Sequence, residues 1–175
     1  MIKFKPISDK NTMLKVKKLY LEAFPDFERL TFWLLRYKSK KKNSSLYVIY
    51  NDDEFVGMTN LAYYKDIIYL YYLAIDPSKQ SQGYVSKVLN HLVDTHPNKR
   101  IFLNIEKVDE ASENYKQRFK RKKFYERNGF QNTEFEIEAD DIVYEVLYSG
   151  SIVHKHEYDS FFKSYLNPVF RYLFL

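Results

Sequence analysis

The chain has 175 residues, the usual size of one domain able to bury a sizeable core, and its 45% apolar and 18% aromatic content excludes a disordered polypeptide. Its 28 basic and 23 acidic side chains leave a net charge of +5, a modest excess that suits a polyanionic small ligand and does not make nucleic acid the expected partner. With no Cys present, disulfides, thiolate metal sites and a covalent cysteine intermediate are excluded.

Ile2, Phe4 and Pro6-Ile7 read as a short first strand, and the opening residues contain no long apolar core or small-residue cleavage site. Ser8-Asp9 offers a helix cap, after which Leu14, Val16, Leu19 and Tyr20 begin a helical stripe that stops near Pro25. A second helix is expected over residues 28–37, with Leu30, Trp33, Leu34 and Tyr37 on one face, and the lysine-rich stretch that follows reads as a solvated loop. Strands are expected at residues 46–50, 55–63 and 67–75, separated by polar turns at Asn51-Asp52-Asp53 and Lys65-Asp66, which makes an antiparallel meander. The third of these is apolar or aromatic at every position, as in a strand covered on both faces.

The polar loop Ser78-Lys79-Gln80-Ser81-Gln82-Gly83 leads into a helix through Val85, Val88, Leu89 and Leu92 that ends before Pro97. A strand at residues 101–105 follows, then a charged helix closing at Asn128-Gly129, a pair suited to a left-handed helix end. Residues 130–137 and 142–147, joined by Asp140-Asp141, are expected to finish the sheet as a hairpin. Beyond Gly150 the character changes. Tyr158, Phe161, Phe162, Tyr165 and Leu166 suit a further helix, and the oily tail from Val169 to Leu175 is expected to pack on the same domain or on a second copy, giving a homodimer. Two segments result, residues 1–150 and a C-terminal extension over 151–175.

No apolar stretch approaches the roughly 20 residues that span a bilayer, so a cytoplasmic protein without a membrane partner is expected. His154 and His156 flank Lys155 without companion ligands, and no metal is expected.

A buried strand, a polar loop with one Gly and a helix starting at that Gly make a place for an anion, because the first N–H groups of a helix have no internal partners. Gln82, Gly83, Tyr84 and Val85 would supply such donors, and Gly83 lets a diphosphate approach the main chain. About forty residues later, Phe124-Tyr125-Glu126-Arg127-Asn128-Gly129-Phe130 runs from a helix end into a strand. Together with the stretch from Ile75 to Leu89, this closely resembles the GNAT superfamily of N-acetyltransferases, from the first strand to about Tyr148. Ala23-Phe24-Pro25-Asp26-Phe27-Glu28-Arg29 looks like a stretch of uncharacterised bacterial members.

The resemblance implies an α/β fold: a mixed, mostly antiparallel sheet with helices on both faces, splayed between the strand ending at Ile75 and the strand at residues 101–105. It implies acetyl-CoA as cosubstrate, its pantetheine arm on the main chain of Leu73, Ala74 and Ile75 and its diphosphate on the loop Gln80, Ser81, Gln82, Gly83, Tyr84, Val85 and Ser86. Gln80 and Gly83 match the family's loop pattern, whereas Val85 stands where it has Gly or Ala. Asn114 is a candidate for the family's cofactor-side Asn, and Arg118 or Arg121 can offer a guanidinium to a phosphate. Glu28 and Glu106 are candidate bases for the amine, and Tyr125 occupies the family's position for protonating the leaving thiolate. The acceptor is a small-molecule or peptide amine, taken by direct attack through a tetrahedral intermediate. An acyl-CoA-binding sensor without catalysis, and a nucleic-acid binder using the lysine clusters, are the alternatives the residues leave open.

Overall fold

A computed structural model describes residues 1–139 and 141–165. In chain order its elements are β1 (Ile2–Pro6), α1 (Lys10–Ala23), a 3-10 turn (Asp26–Glu28), α2 (Phe32–Lys38), β2 (Ser44–Asn51), β3 (Glu54–Tyr64), β4 (Ile67–Ile75), a second 3-10 turn (Pro77–Lys79), α3 (Tyr84–Thr95), β5 (Arg100–Glu106), α4 (Tyr115–Arg127), β6 (Gln131–Ala139), β7 (Ile142–Ser149) and α5 (Lys155–Tyr165). Seven strands hydrogen-bond in the order β1-β2-β3-β4-β5-β7-β6. The β4–β5 pair is parallel, and the β1–β2, β2–β3, β5–β7 and β6–β7 pairs are antiparallel, so the sheet is mixed, as the resemblance implied. Parallel pairing needs a crossover, and α3 supplies it.

The described residues form two compact units that share β4: residues 1–63 with 70–97, and residues 64–69 with 98–139 and 141–165. In the first, α1 and α2 cover one face of the sheet, where Val16, Leu19, Tyr20 and Leu35 pack on Leu46, Val48, Met58, Tyr72 and Ala74. The other face packs Val88 of α3 with Ile2, Ile49, Val56 and Ile75. In the second unit Tyr69 stacks on Phe102 with ring centroids 4.6 Å apart, and α5 lays Tyr158, Phe161 and Phe162 over that pair. Arg100 ties this unit together. Its guanidinium binds the Asp66 carboxylate at 2.7 Å and the Glu157 carboxylate at 2.7 Å, and this holds the Glu157 pKa down at about 2.

The second helix differs from expectation. It begins at Phe32 rather than at residue 28, and it buries Leu34 and Leu35 while Trp33 and Tyr37 face outward. Residues before it are extended because two buried tyrosines take their backbone groups: the Tyr20 hydroxyl donates to the Leu30 carbonyl at 2.9 Å, and the Tyr72 hydroxyl accepts from the Leu30 N–H at 3.2 Å. Leu166 of the expected further helix, the oily tail from Val169 to Leu175 and Asp140 of the hairpin turn lie outside the described residues.

Candidate functional site

The end of β4 and the start of α3 form a continuous run in the first unit. Between β2 and β3 the register slips, with Ile49 opposite Gly57 and Tyr50 opposite Phe55, which leaves Val56 as the extra residue of a bulge. A Cβ on Gly57 would stand 2.1 Å from the Ala74 carbonyl oxygen, a distance that real contacts do not reach. Only glycine lets β4 come this close here. Gly57 therefore sets the path of the Leu73, Ala74 and Ile75 main chain, and the pairing of β4 with β5 covers Ile67, Ile68 and Tyr69 alone.

After Ile75 the chain is organised by local hydrogen bonds. The Asp76 carboxylate accepts from the Ser78 N–H at 2.9 Å and the Ser78 hydroxyl at 2.6 Å, which keeps its pKa low, and the Gln80 side chain donates back to the Ile75 carbonyl at 3.3 Å. Gln82 donates to the Ser78 carbonyl at 3.1 Å, and Ser81 has a left-handed backbone with φ 61°. Gly83, φ 74°, stands at the cap position of α3 with no side chain to satisfy the first N–H groups, and no atom lies within 4 Å of where its Cβ would be. Tyr84, Val85 and Ser86 thus carry amide donors without an intrahelical partner. The Val85 side chain, which departs from the family pattern, packs against the Ile2, Ile49 and Val88 cluster. Open space and uncapped donors fit a diphosphate.

Glu28 ends the 3-10 turn after Pro25 and is exposed. Its carbonyl accepts from the Tyr72 hydroxyl at 2.8 Å, which fixes this turn to β4 one residue before Leu73.

In the second unit Tyr125 lies on the last turn of α4, its ring edge-on to Phe124 and Phe130. Gly129, φ 83°, turns the chain out of the helix, as the Asn-Gly pair indicated. Burial pushes the Tyr125 hydroxyl pKa up while the Arg121 charge pulls it down, so the group stays protonated at neutral pH. That hydroxyl has no hydrogen-bond partner among the described residues. Glu106, at the end of β5, is paired with Arg118 at 3.0 Å and Arg121 at 3.5 Å. Arg118 also donates to the Lys107 carbonyl at 3.0 Å, which commits it to the protein, whereas Arg121 stays 41% exposed. Asn114 caps α4 through its backbone, accepting from Gln117 and Arg118 N–H groups, and its side chain makes no cap hydrogen bond.

Gly57, and the hydrogen bonds that Tyr20 and Tyr72 make to the turn before α2, were not read from the sequence. An isolated Gly inside a strand pattern is a signal for a bulge or close backbone approach. Nothing sets apart the hydroxyls of these two tyrosines, among 17, as ones that bind backbone. No helix among the described residues is long and apolar enough to cross a membrane. Among the same residues no group of three His, Asp or Glu side chains could hold a metal ion.

A mixed sheet whose middle strand leaves a brief parallel pairing and runs into an open helix start is the acyltransferase type of α/β fold. The family model for the acetyltransferase (GNAT) domain matches residues 42–132, just over half of the sequence, and the chain belongs to the GNAT acetyltransferase family. Similar solved structures include a protein assigned to that family from Bacteroides thetaiotaomicron, 22% identical, with 96% of this chain and 98% of that chain covered and a TM-score of 0.77. An aminoglycoside 6'-N-acetyltransferase complexed with coenzyme A is 13% identical over 88% of this chain and 98% of its own, with a TM-score of 0.67. The ribosomal-protein-S18-alanine N-acetyltransferase from Escherichia coli is 14% identical over 89% and 97%, with a TM-score of 0.60. No curated protein matches the chain in sequence.

Proposed function

We propose that the protein transfers the acetyl group of acetyl-CoA directly to a primary amine. The observation that carries this reading is the start of α3: uncapped N–H groups behind a left-handed Gly83 with open space where a side chain would stand, following the strand that the family uses for the pantetheine arm. The helix dipole and the free donors favour two phosphates there, while the Leu73, Ala74 and Ile75 main chain orients the thioester.

An amine attacks only when neutral, and an ordinary lysine is neutral in roughly one molecule in 2,500 at pH 7, so a base must take its proton. Glu28 is the candidate favoured here, because Tyr72 fixes its turn to β4, whereas the Glu106 carboxylate is occupied by two guanidinium groups. Collapse of the tetrahedral intermediate expels the thiolate. Tyr125, protonated and with its donor unoccupied, is assigned to protonate it.

The deciding measurement is thermal unfolding with acetyl-CoA. At about 100 times Kd the ligand adds about 2.7 kcal/mol, worth roughly 5 to 10 °C for a chain of this size. No shift at millimolar acetyl-CoA refutes the reading. A shift, followed by thiol release with a panel of amino acids, peptides, polyamines and aminoglycosides, supports it and identifies the acceptor.

A further inference from the structure

On the outer side of the two helices that cover the sheet lies a groove of about 800 Å³, walled by α1 and α2. Leu14, Lys17 and Leu21 form a stripe along α1, on the opposite side from the buried Val16, Leu19 and Tyr20. Trp33, Arg36, Tyr37 and Lys40 form the facing stripe on α2 and just beyond it. Four large apolar side chains stay open to solvent here: Leu14 at 52%, Leu21 at 43%, Trp33 at 68% and Tyr37 at 48%. Single exposed hydrophobics are ordinary, but four on one groove mark a contact surface.

Charge selects the occupant. Of the groove's four cations, Arg29 pairs with Asp26, and Lys17, Arg36 and Lys40 have no ion-pair partner among the described residues. A second copy of this face would set like charges against each other. The chain's own last ten residues carry Arg171 and no acidic side chain, so they do not match it either. Leu14 and Leu21 lie seven residues apart on α1, and Trp33 and Tyr37 four apart on α2, so each helix lines the groove with one apolar stripe, the setting into which an amphipathic helix lays its apolar face.

We propose that this groove is a docking surface for an acidic amphipathic helix of a partner protein. α1 is about 21 Å long, which corresponds to a partner helix of some 14 residues. Leu or Phe at every third and fourth position fills the floor, and Asp or Glu on the flanks meets Lys17, Arg36 and Lys40.

Trp33 is the only tryptophan of the chain, so its fluorescence reports this groove alone. The probe is a 14-residue peptide with Leu and Phe at helical spacing and Glu at the other positions, and its control has Lys in place of Glu. The Glu peptide is expected to shift Trp33 emission to the blue and saturate, with affinity that falls as salt rises from 50 to 500 mM. The Lys peptide is expected to leave the emission unchanged. Charge reversal in Lys17→Glu/Arg36→Glu is expected to weaken the Glu peptide about tenfold. Both positions are on the surface of the helices, and an unchanged melting temperature verifies the fold of the variant. Equal binding of the two peptides, no shift at millimolar Glu peptide, or an unaffected double variant overturns the proposal. So does Trp33 emission that is already blue and shifts red on dilution, which would mean that a second copy covers the groove. The titration involves no acetyl transfer, and its outcome is independent of the acetyl-CoA test.

Discussion

Two helices of the first unit begin in opposite ways. At α1 the Asp9 carboxylate accepts from the Thr12 N–H at 2.8 Å and the Thr12 hydroxyl at 2.7 Å, so that helix closes its own end. At α3 the cap residue is Gly83, and the end stays open. The same contrast separates two tyrosines: the Tyr72 hydroxyl both donates to the Glu28 carbonyl and accepts from the Leu30 N–H, whereas the Tyr125 hydroxyl does neither. Asp9 and Tyr72 spend their hydrogen bonds on the fold. The open start of α3 and the Tyr125 hydroxyl are the two we assign to the chemistry, because a donor already engaged by the protein has to break that bond before it serves a ligand.

The contrast breaks first at Tyr125. Tyr125→Phe keeps the ring and is expected to lower kcat by about 10²-fold to 10⁴-fold, with melting temperature and acetyl-CoA affinity nearly unchanged. Steady-state kinetics under saturating acetyl-CoA measure this, and a variant retaining more than half its kcat with chemistry rate-limiting returns Tyr125 to a packing role. Gly83→Asp makes the start of α3 like that of α1. Asp tolerates a left-handed backbone better than most residues, so the expected effect is electrostatic, a loss of acetyl-CoA affinity of about 10²-fold by calorimetry. Gly83→Asn, neutral and of similar shape, is expected to lose much less, and equal losses in the two variants would point to bulk instead of charge.

Tyr72→Phe sharpens the comparison from the other side. It leaves the Leu30 N–H and the Glu28 carbonyl without their partner, and a loss of about 1 to 2 kcal/mol in urea unfolding is expected, with acetyl-CoA affinity retained. The smallest effect is expected at Asp9→Ala, a drop of a few degrees in melting temperature and no change in ligand binding. The Thr12 hydrogen bonds hold the Asp9 pKa below 3.8. Its contribution is therefore complete above that value and is lost as pH falls through the lower, folded-state pKa. A wild type and Asp9→Ala pair whose difference in melting temperature stays constant from pH 7 to pH 2 contradicts the cap.

Much of the fold was legible because local chemistry agreed with it. Asp9 capped α1 as read, the unbroken apolar run of β4 is a mostly buried strand, and Gly129 turned α4 into β6. The stripe of Leu30, Trp33 and Tyr37 misled because periodicity does not reveal that distant tyrosines hold residues 29–31 extended. The loop-to-helix junction at Gly83 could be read because a glycine opening a helix is a local pattern, and the anion site proposed there rests on that junction. The ion pairs between Glu106 and the two arginines join residues 12 and 15 positions apart across a strand end and a helix, and no local pattern encodes that meeting.

Arg100 has a consequence for how the chain reaches this structure. It joins Asp66, 34 residues earlier, to Glu157, 57 residues later. During synthesis Asp66 waits for Arg100 and Arg100 waits for Glu157, so this ion-pair network is completed only once the chain through Glu157 has been made. Until β5 has been made, the first half of β4 presents Ile67, Ile68 and Tyr69 as a bare apolar edge, the kind of strand that aggregates or recruits a chaperone during synthesis.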